Sequence, residues 1–400
     1  MSDMDGGKIE AGTPAFRRVN IAVFSCGFSI FAILYCLQPL LPLLTQEFGI
    51  TPAQSSLAVS LPCITLAVAM LFASSISDAV GRKPLMLAAL ALSSILTLAL
   101  YWATNWSAVL WLRALAGIAL SGAPAVTLAY LGEEIHPKAV TRAVGLYVGG
   151  SALGGMAGRL AAAGITDLGS WRHAMLIVAL TGFVSLAVFW RAMPASRHFT
   201  AAKGGVLDLV RSMFGLFRVP TVVLLVIAGF FGLGSFMTLF NYLGFRLQAE
   251  PFNLSQATAG LIFLAYPIGS VGSAFFGARA AKYGRGPVLI FCASCLFIAL
   301  GLMMPDSLIT LVAGLALLTF CFFGAHAICS SWAPAATPNS KAQASSLYLL
   351  LYYVGGGVAG SVGGIFWAWN GWTGVALFCG TLMLGILSVA IALSRTAQAR

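Results

Sequence analysis

The sequence predicts an all-α integral membrane protein with 12 transmembrane helices, arranged as two pseudo-symmetric six-helix halves. The first observation is composition. Of 400 residues, 60% are apolar and 8% carry formal charge, whereas a soluble surface needs roughly a quarter to a third charged residues. The apolar residues suffice for on the order of a dozen spans of about 20 residues each. The second observation is an internal repeat. SSISDAVGRKPLML from Ser74 matches GARAAKYGRGPVLI from Gly277, with Gly81-Arg82 over Gly284-Arg285 at an offset of 203. Leu146-Tyr147 falls over Leu347-Tyr348 and Trp171 over Trp372 (offset 201), and GGMAGR from Gly154 falls over GGVAGS from Gly356 (offset 202). Four anchors in the same order, within two residues of one offset, describe a duplicated unit in parallel orientation, the arrangement of transporters that bind substrate between their halves.

Apolar runs bounded by charge, Pro, Gly and Asn place spans one to six near 19–44, 53–77, 84–103, 107–132, 141–165 and 172–192. Spans seven to twelve fall near 219–247, 256–280, 286–303, 307–332, 343–367 and 372–393. Residues 1–18 and 394–400 are polar tails around halves 19–192 and 219–393. The stretch 193–218, carrying Arg197, Lys203, Asp208, Arg211 and Arg218, reads as a cytoplasmic linker.

Twelve spans put both termini on one side. That side holds 18 of the 22 basic residues, with only Arg172 and Arg246 flanking the other, so both termini are expected in the cytoplasm of a bacterial-type inner membrane. The net charge of +11 is therefore a topology signal, and no nucleic-acid partner is expected. The first 20 residues lack the basic start and short apolar core of a cleaved signal. All eight cysteines lie inside apolar runs, where a thiol acts as a small hydrophobe. The Cys292/Cys295 pair has no second pair or nearby histidine to complete a zinc set. No metal or cofactor is expected, and a monomer is.

Between spans two and three the chain reads Asp78-Ala79-Val80-Gly81-Arg82-Lys83-Pro84. Gly81 suits a tight turn with positive φ, and Pro84 a first helical turn. A plain basic anchor would explain the bases alone, but an acid stands one turn before them. With its DxxGRK core, the sequence resembles the major facilitator superfamily. The glycine that the family carries four residues before the acid is Ser74 here, and Gly277 keeps it in the second half. The resemblance implies that Asp78 and Arg82 join a cytoplasmic charge cluster that locks an inner gate. Glu133 and Glu134, ending span four, are the available partners, and the first turn of span eleven, Ser340 to Gln343, offers helix amides to Asp78.

Arg113 lies in RALAG inside span four, and an arginine at bilayer depth costs at least about 2.5 kcal/mol. It must face water, protein or ligand, and satisfaction by neighbouring carbonyls is one way to do so. By the same resemblance, antiporters of the superfamily carry an arginine at this RxxxG position that is linked to proton coupling. Span five has small residues at four-residue spacing, Gly145/Gly149, Gly150/Gly154 and Gly154/Gly158, which suits either close packing or a sliding interface. Drug:proton antiporters have GPxxGG here, whereas this chain has GGMAGR without the proline. GGMAGR and the segment YCLQPLLP, Tyr35 to Pro42, look similar to the YnfM-type branch of exporters in that group.

Arg159 is a second intramembrane arginine. Counting from the span ends at 1.5 Å per residue puts Arg113 and Arg159 both about 9 Å below the outer surface, with Gln38 and Asn241 near the same level. These four, flanked by Tyr35, Tyr242 and Arg246, are the candidate substrate-binding residues. No Asp or Glu falls inside a predicted span, so two arginines favour an anionic or acidic substrate. Arg113 and His326 are the candidates for proton coupling, with His173 at the outer start of span six or the edge acids Glu133 and Glu134 as other titratable groups, and a structural role as the alternative for His326. Asp78, Gly81, Arg82, Glu133, Glu134, Gly154 and Gly158 are the gating candidates. Phe230, Phe231, Phe236, Phe240 and Tyr242 of span seven would give a central cavity aromatic walls, with plain lipid-facing packing the alternative for any one of them.

The expected function is alternating-access transport of a small amphipathic or anionic molecule, by proton-coupled efflux. An organic-anion importer or exchanger on the same fold is the alternative. A membrane receptor or enzyme is a remote one, because no GxxxxGK[ST], HExxH or GxSxG element is present.

Overall fold

A computed structural model describes residues 7–199 and 206–398. The first six residues of the tail, Lys203 of the linker and Arg400 lie outside them. Among the described residues, ten segments are helical, long and apolar enough to cross a membrane. Lys341–Arg395, one of the ten, is interrupted at Asn370 and Gly371, where φ turns from −151° to +50°, so it makes two crossings. Pro137–Leu168 is also long enough at 32 residues, its hydropathy diluted by glycine and three basic side chains. Together these make 12 spans.

Proline and capping side chains set the ends. α1 (Pro14–Tyr35) starts five residues before the predicted 19, because Thr13 Oγ1 accepts from the Phe16 amide at 3.2 Å and Pro14 occupies the first turn. Its far end corrects the single predicted span 19–44. The helix stops at Tyr35, passes through a 3₁₀ turn at Gln38–Leu40 and resumes as α2 (Leu41–Phe48). Pro39 and Pro42 supply no amide to continue the ladder. α3 (Pro52–Val80) and α4 (Arg82–Ala99) are joined at Gly81, whose φ of 95° is the conformation a side chain resists. Span four is likewise two helices, α5 (Trp106–Leu120) and α6 (Pro124–Glu134), separated at Ser121-Gly122-Ala123 before Pro124. α7 (Pro137–Leu168) and α8 (Trp171–Ala192) follow, each opened by a side-chain cap, His136 and Ser170.

The linker contains a short helix, α9 (Val206–Gly215). Beyond it come α10 (Pro220–Gln248), the single turn α11 (Gln256–Gly260), α12 (Tyr266–Tyr283), α13 (Arg285–Leu302), α14 (Leu308–Ala335) and the broken α15 (Lys341–Gln398). Gly284, before α13, has φ 88° and ψ 150°, against 95° and 156° at Gly81.

The described residues of Met1–Leu37 and Val68–Val206 form one compact unit, and those of Gln38–Ala67 and Leu207–Arg400 another. Residues 38–67, which chain order puts in the first half, thus pack with the second.

In the first unit, α1 and α7 lie backbone to backbone. A Cβ on Gly150 or Gly154 would fall on the carbonyl of Phe24 or Phe28, and one on Gly158 would come within 2.7 Å of Ala32 Cα. Gly145 and Gly149 have no heavy atom within 4 Å of such a Cβ. Of the three spaced pairs, only those built on Gly150, Gly154 and Gly158 are contact surfaces. In the second unit α10 and α15 approach in the same way, with Gly355 against the Phe230 carbonyl and Gly234 against Ala359.

Candidate substrate layer and charge cluster

The charge cluster is assembled in the first unit from the end of α3, the start of α4 and the end of α6. Arg82, 6% exposed, grips Glu133 with two parallel bonds, Nη2 to Oε1 at 2.7 Å and Nε to Oε2 at 3.2 Å. Its Nη1 donates to Asp78 Oδ1 at 2.8 Å and to Ser77 Oγ at 2.9 Å, and its guanidinium lies 4.8 Å from the Phe199 ring centroid. A planar fork matched to a carboxylate is the strong form of ion pair, and lysine could not reproduce it. Gly81 places the acid and the base one turn apart.

Glu134 does not join this cluster. Successive residues on a helix point in different directions, and Glu134 turns inward to organise the chain after α8. Its Oε1 accepts from Ser196 Oγ (2.6 Å) and from the amides of Arg197 (2.5 Å) and His198 (2.7 Å), while Oε2 meets His198 Nδ1 at 3.0 Å. The N-terminal tail is tied to the same place, as Ile9 donates to Glu134 O and accepts from the His136 amide. Sequence reasoning misses Ser77, a neighbour five residues before Arg82, and also Ser196, His198 and Phe199, whose roles depend on segments about 60 to 120 residues apart meeting. Glu134→Gln keeps the acceptor shape but removes the charge, and is expected to cost about 2 kcal/mol, a charge-assisted bond being worth about 1.5–3 kcal/mol. Faster hydrogen exchange at the Arg197 and His198 amides, with those of α1 unchanged, is the check.

The two intramembrane arginines lie in the same unit, both fully buried. Arg113 donates from Nη1 to Ile33 O at 2.9 Å and from Nη2 to Leu34 O at 2.5 Å. These are carbonyls of the last turn of α1, left without helical partners where the helix breaks, so the guanidinium caps the C-terminal end of that dipole. Arg159 donates to Gly155 O at 2.7 Å, and its guanidinium lies 4.2 Å from the ring centroid of Tyr35. Tyr35 therefore stands at the meeting point of α1, Arg159 and the turn that Arg113 caps.

The other two members of the predicted layer meet in the second unit. Gln38 Nε2 donates to Asn241 Oδ1 at 2.7 Å, both side chains being 1% exposed. Asn241 Nδ2 and Ser60 Oγ are buried without a hydrogen-bond partner among the described residues, and both border Gly360, 3.0 and 3.2 Å from where its Cβ would stand. An unpaired buried polar group costs roughly 1–3 kcal/mol, which a polar ligand atom would relieve. Tyr242 is more firmly held, donating to Gly360 O at 3.0 Å beside Trp367.

Arg246 is fastened to the turn after α13. It donates to Met303 O, to Met304 O at 2.8 Å, to Pro305 O at 3.0 Å and to Asp306 Oδ1 at 2.9 Å, with Trp372 and Phe252 against its faces. His326 Nδ1 lies 3.0 Å from the Tyr348 hydroxyl, its ring 4.4 Å from that of Tyr352. Of the span-seven aromatics, Phe236 stacks on Phe322 at 4.1 Å and Phe240 on Phe263 at 5.6 Å. Both are 1% exposed, so they pack the interior of the second unit.

The model of the Major Facilitator Superfamily matches residues 23–250 and 247–399. The inner membrane transport protein YnfM of Escherichia coli (strain K12) is 43% identical over 391 residues, covering 98% of this chain and 94% of that protein. The uncharacterized MFS-type transporter YybF of Bacillus subtilis (strain 168) is 38% identical, over 92% and 91% of the two chains. Among solved structures, the nucleoside transporter NupG superposes with a TM-score of 0.76 at 14% identity, over 95% of this chain and 99% of that one.

Proposed function

Because the chain belongs to the major facilitator superfamily, and is a membrane transporter rather than an enzyme, we propose that it exports a small anionic or amphipathic compound in exchange for protons. In this reading the two halves descend from one duplicated unit and rock about a central site, with both termini in the cytoplasm. The observation that carries it is the full burial of Arg113 on the last-turn carbonyls of α1 and of Arg159 against the Tyr35 ring. Carbonyl oxygens orient a guanidinium without cancelling its charge, and a positive charge at bilayer depth is stabilised by an anionic ligand. Within the second unit, Gln38, Asn241 and Ser60 form a separate group of neutral polar side chains. His326 and Arg113 are the proposed coupling residues. At 14% identity the likeness to a nucleoside transporter speaks for the fold alone and carries no substrate.

The test is flux in liposomes after a pH jump, with labelled amphipathic carboxylates and sulfonates against lipophilic cations. Saturable anion flux opposite to an imposed proton gradient is expected. Flux of cations alone overturns the reading, and anion exchange indifferent to pH selects the exchanger in its place.

The Asp78/Arg82/Glu133 cluster is proposed as the inner gate, with Gly81 as its fixed turn. Asp78→Asn leaves Arg82 bound to Glu133 but removes one of two countercharges. It is expected to raise the labelling rate of single cysteines placed along the cytoplasmic ends of the spans several-fold. An unchanged rate refutes the gate.

A further inference from the structure

α1, α7 and α8 leave a cleft of about 750 Å³ within the first unit, inside the range of roughly 300–1,000 Å³ typical of ligand sites. It shares none of the residues assigned above to substrate, coupling or gating. Its lining is graded along its length. Arg17 and Asn20, in the first two turns of α1, and Arg142, in the second turn of α7, stand at one end. Below them on α1 come Ile21, Phe24 and Phe28, with Val184 opposite on α8. From Arg17 to Phe28 is 11 residues, or about 16 Å along a helix, close to half of the roughly 30 Å hydrocarbon thickness.

The surfaces are accessible, Ile21 at 48% and Val184 at 63% exposed. Both arginines are exposed as well, whereas the neighbouring Arg18 is engaged with Arg191 O at 2.8 Å. Asn20 Oδ1 is buried at the mouth with no hydrogen-bond partner among the described residues. Two cations and an amide above an apolar channel one leaflet deep match the chemistry of an acidic lipid: phosphate on the two arginines, a headgroup hydroxyl to donate to Asn20 Oδ1, acyl chain beneath. A neutral lipid would leave the charges uncompensated.

We propose that this cleft binds an anionic phospholipid of the adjacent leaflet, with its phosphate on Arg17 and Arg142 and one acyl chain along Ile21, Phe28 and Val184. The assignment requires only that the chain lie in a bilayer, so it stands or falls apart from the proposed substrate.

The experiment is native mass spectrometry of the full chain released from nanodiscs of phosphatidylglycerol and phosphatidylcholine in equal parts. It compares wild type with the Arg17→Gln/Arg142→Gln double variant, with Val184→Trp, and with Arg279→Gln as a charge control in the second unit. Wild type and the control are expected to retain one phosphatidylglycerol preferentially. The double variant loses this preference by on the order of tenfold. Val184→Trp, which keeps both charges but blocks the channel, loses it as well. Glycerol phosphate without a chain does not compete. Equal retention of both lipids by wild type, or unchanged preference in the double variant, overturns the proposal. Preference surviving Val184→Trp, or competition by glycerol phosphate, reduces the site to a surface charge effect and overturns it too.

Discussion

Gly154→Val is expected to leave no monodisperse protein after extraction, or to lower its Tm by roughly 10 °C. The side chain would have to occupy the Phe28 carbonyl, and neighbouring Gly150 and Gly158 press on Phe24 and Ala32 in the same register. No rotamer relieves a clash at Cβ, so α1 and α7 must separate along their length. Overpacking of this kind costs about 3 kcal/mol or more, and at about 2–4 °C per kcal/mol for a unit of this size the shift is large. In a bilayer the close approach is itself the source of helix association, lipid tails being as apolar as the helices. Gly145→Ala is the matched control. A Cβ there meets nothing within 4 Å, and alanine is the better helix former by about 1 kcal/mol, so Tm should hold or rise slightly. A thermal scan of both variants decides; equal melting of the two would mean that α1 and α7 do not pack as described.

Arg113→Gln is expected to reduce anion flux by roughly 30-fold or more, the range set by removing one partner of a buried charge interaction at about 2–5 kcal/mol. Glutamine can still donate to one carbonyl of the α1 end, so the helix terminus keeps part of its cap. Arg113→Lys keeps the charge but cannot serve Ile33 O and Leu34 O as a fork. The pair separates two roles. If Arg113 acts through its charge, lysine retains more flux than glutamine. If it acts only by capping α1, both lose stability and flux together, and flux corrected for folded protein stays at the wild-type level. Tracer flux per molecule of folded transporter, measured beside Tm for each variant, makes the distinction.

The charge cluster is largely legible in the sequence. Asp78, Gly81 and Arg82 sit within five residues, so their geometry follows from one turn. Glu133 and Glu134 are equivalent candidates on sequence, because a run of two acids carries no information on the phase of the helix beneath it. Packing of α6 settles that phase, sending Glu133 to Arg82 and Glu134 to the amides at Arg197 and His198. The breaks in spans one and four are written in Pro39, Pro42 and Pro124. Apolar periodicity runs through such breaks undisturbed, which is why it suggests one helix where two exist. Arg246 stands at a span end, and its hydrogen-bond partners are three carbonyls and the Asp306 carboxylate about 60 residues further along the chain.

Composition and periodicity fix the membrane as solvent, the 12 spans and the intramembrane arginines, because each is a property of single residues or of neighbours within a turn. Which arginine caps a helix, which glycine bears on a backbone and where a lipid-sized cleft opens follow from contacts between distant segments. Those contacts depend on the relative height and rotation of rigid helices, quantities that sum over a whole interface and that no one stretch of chain encodes.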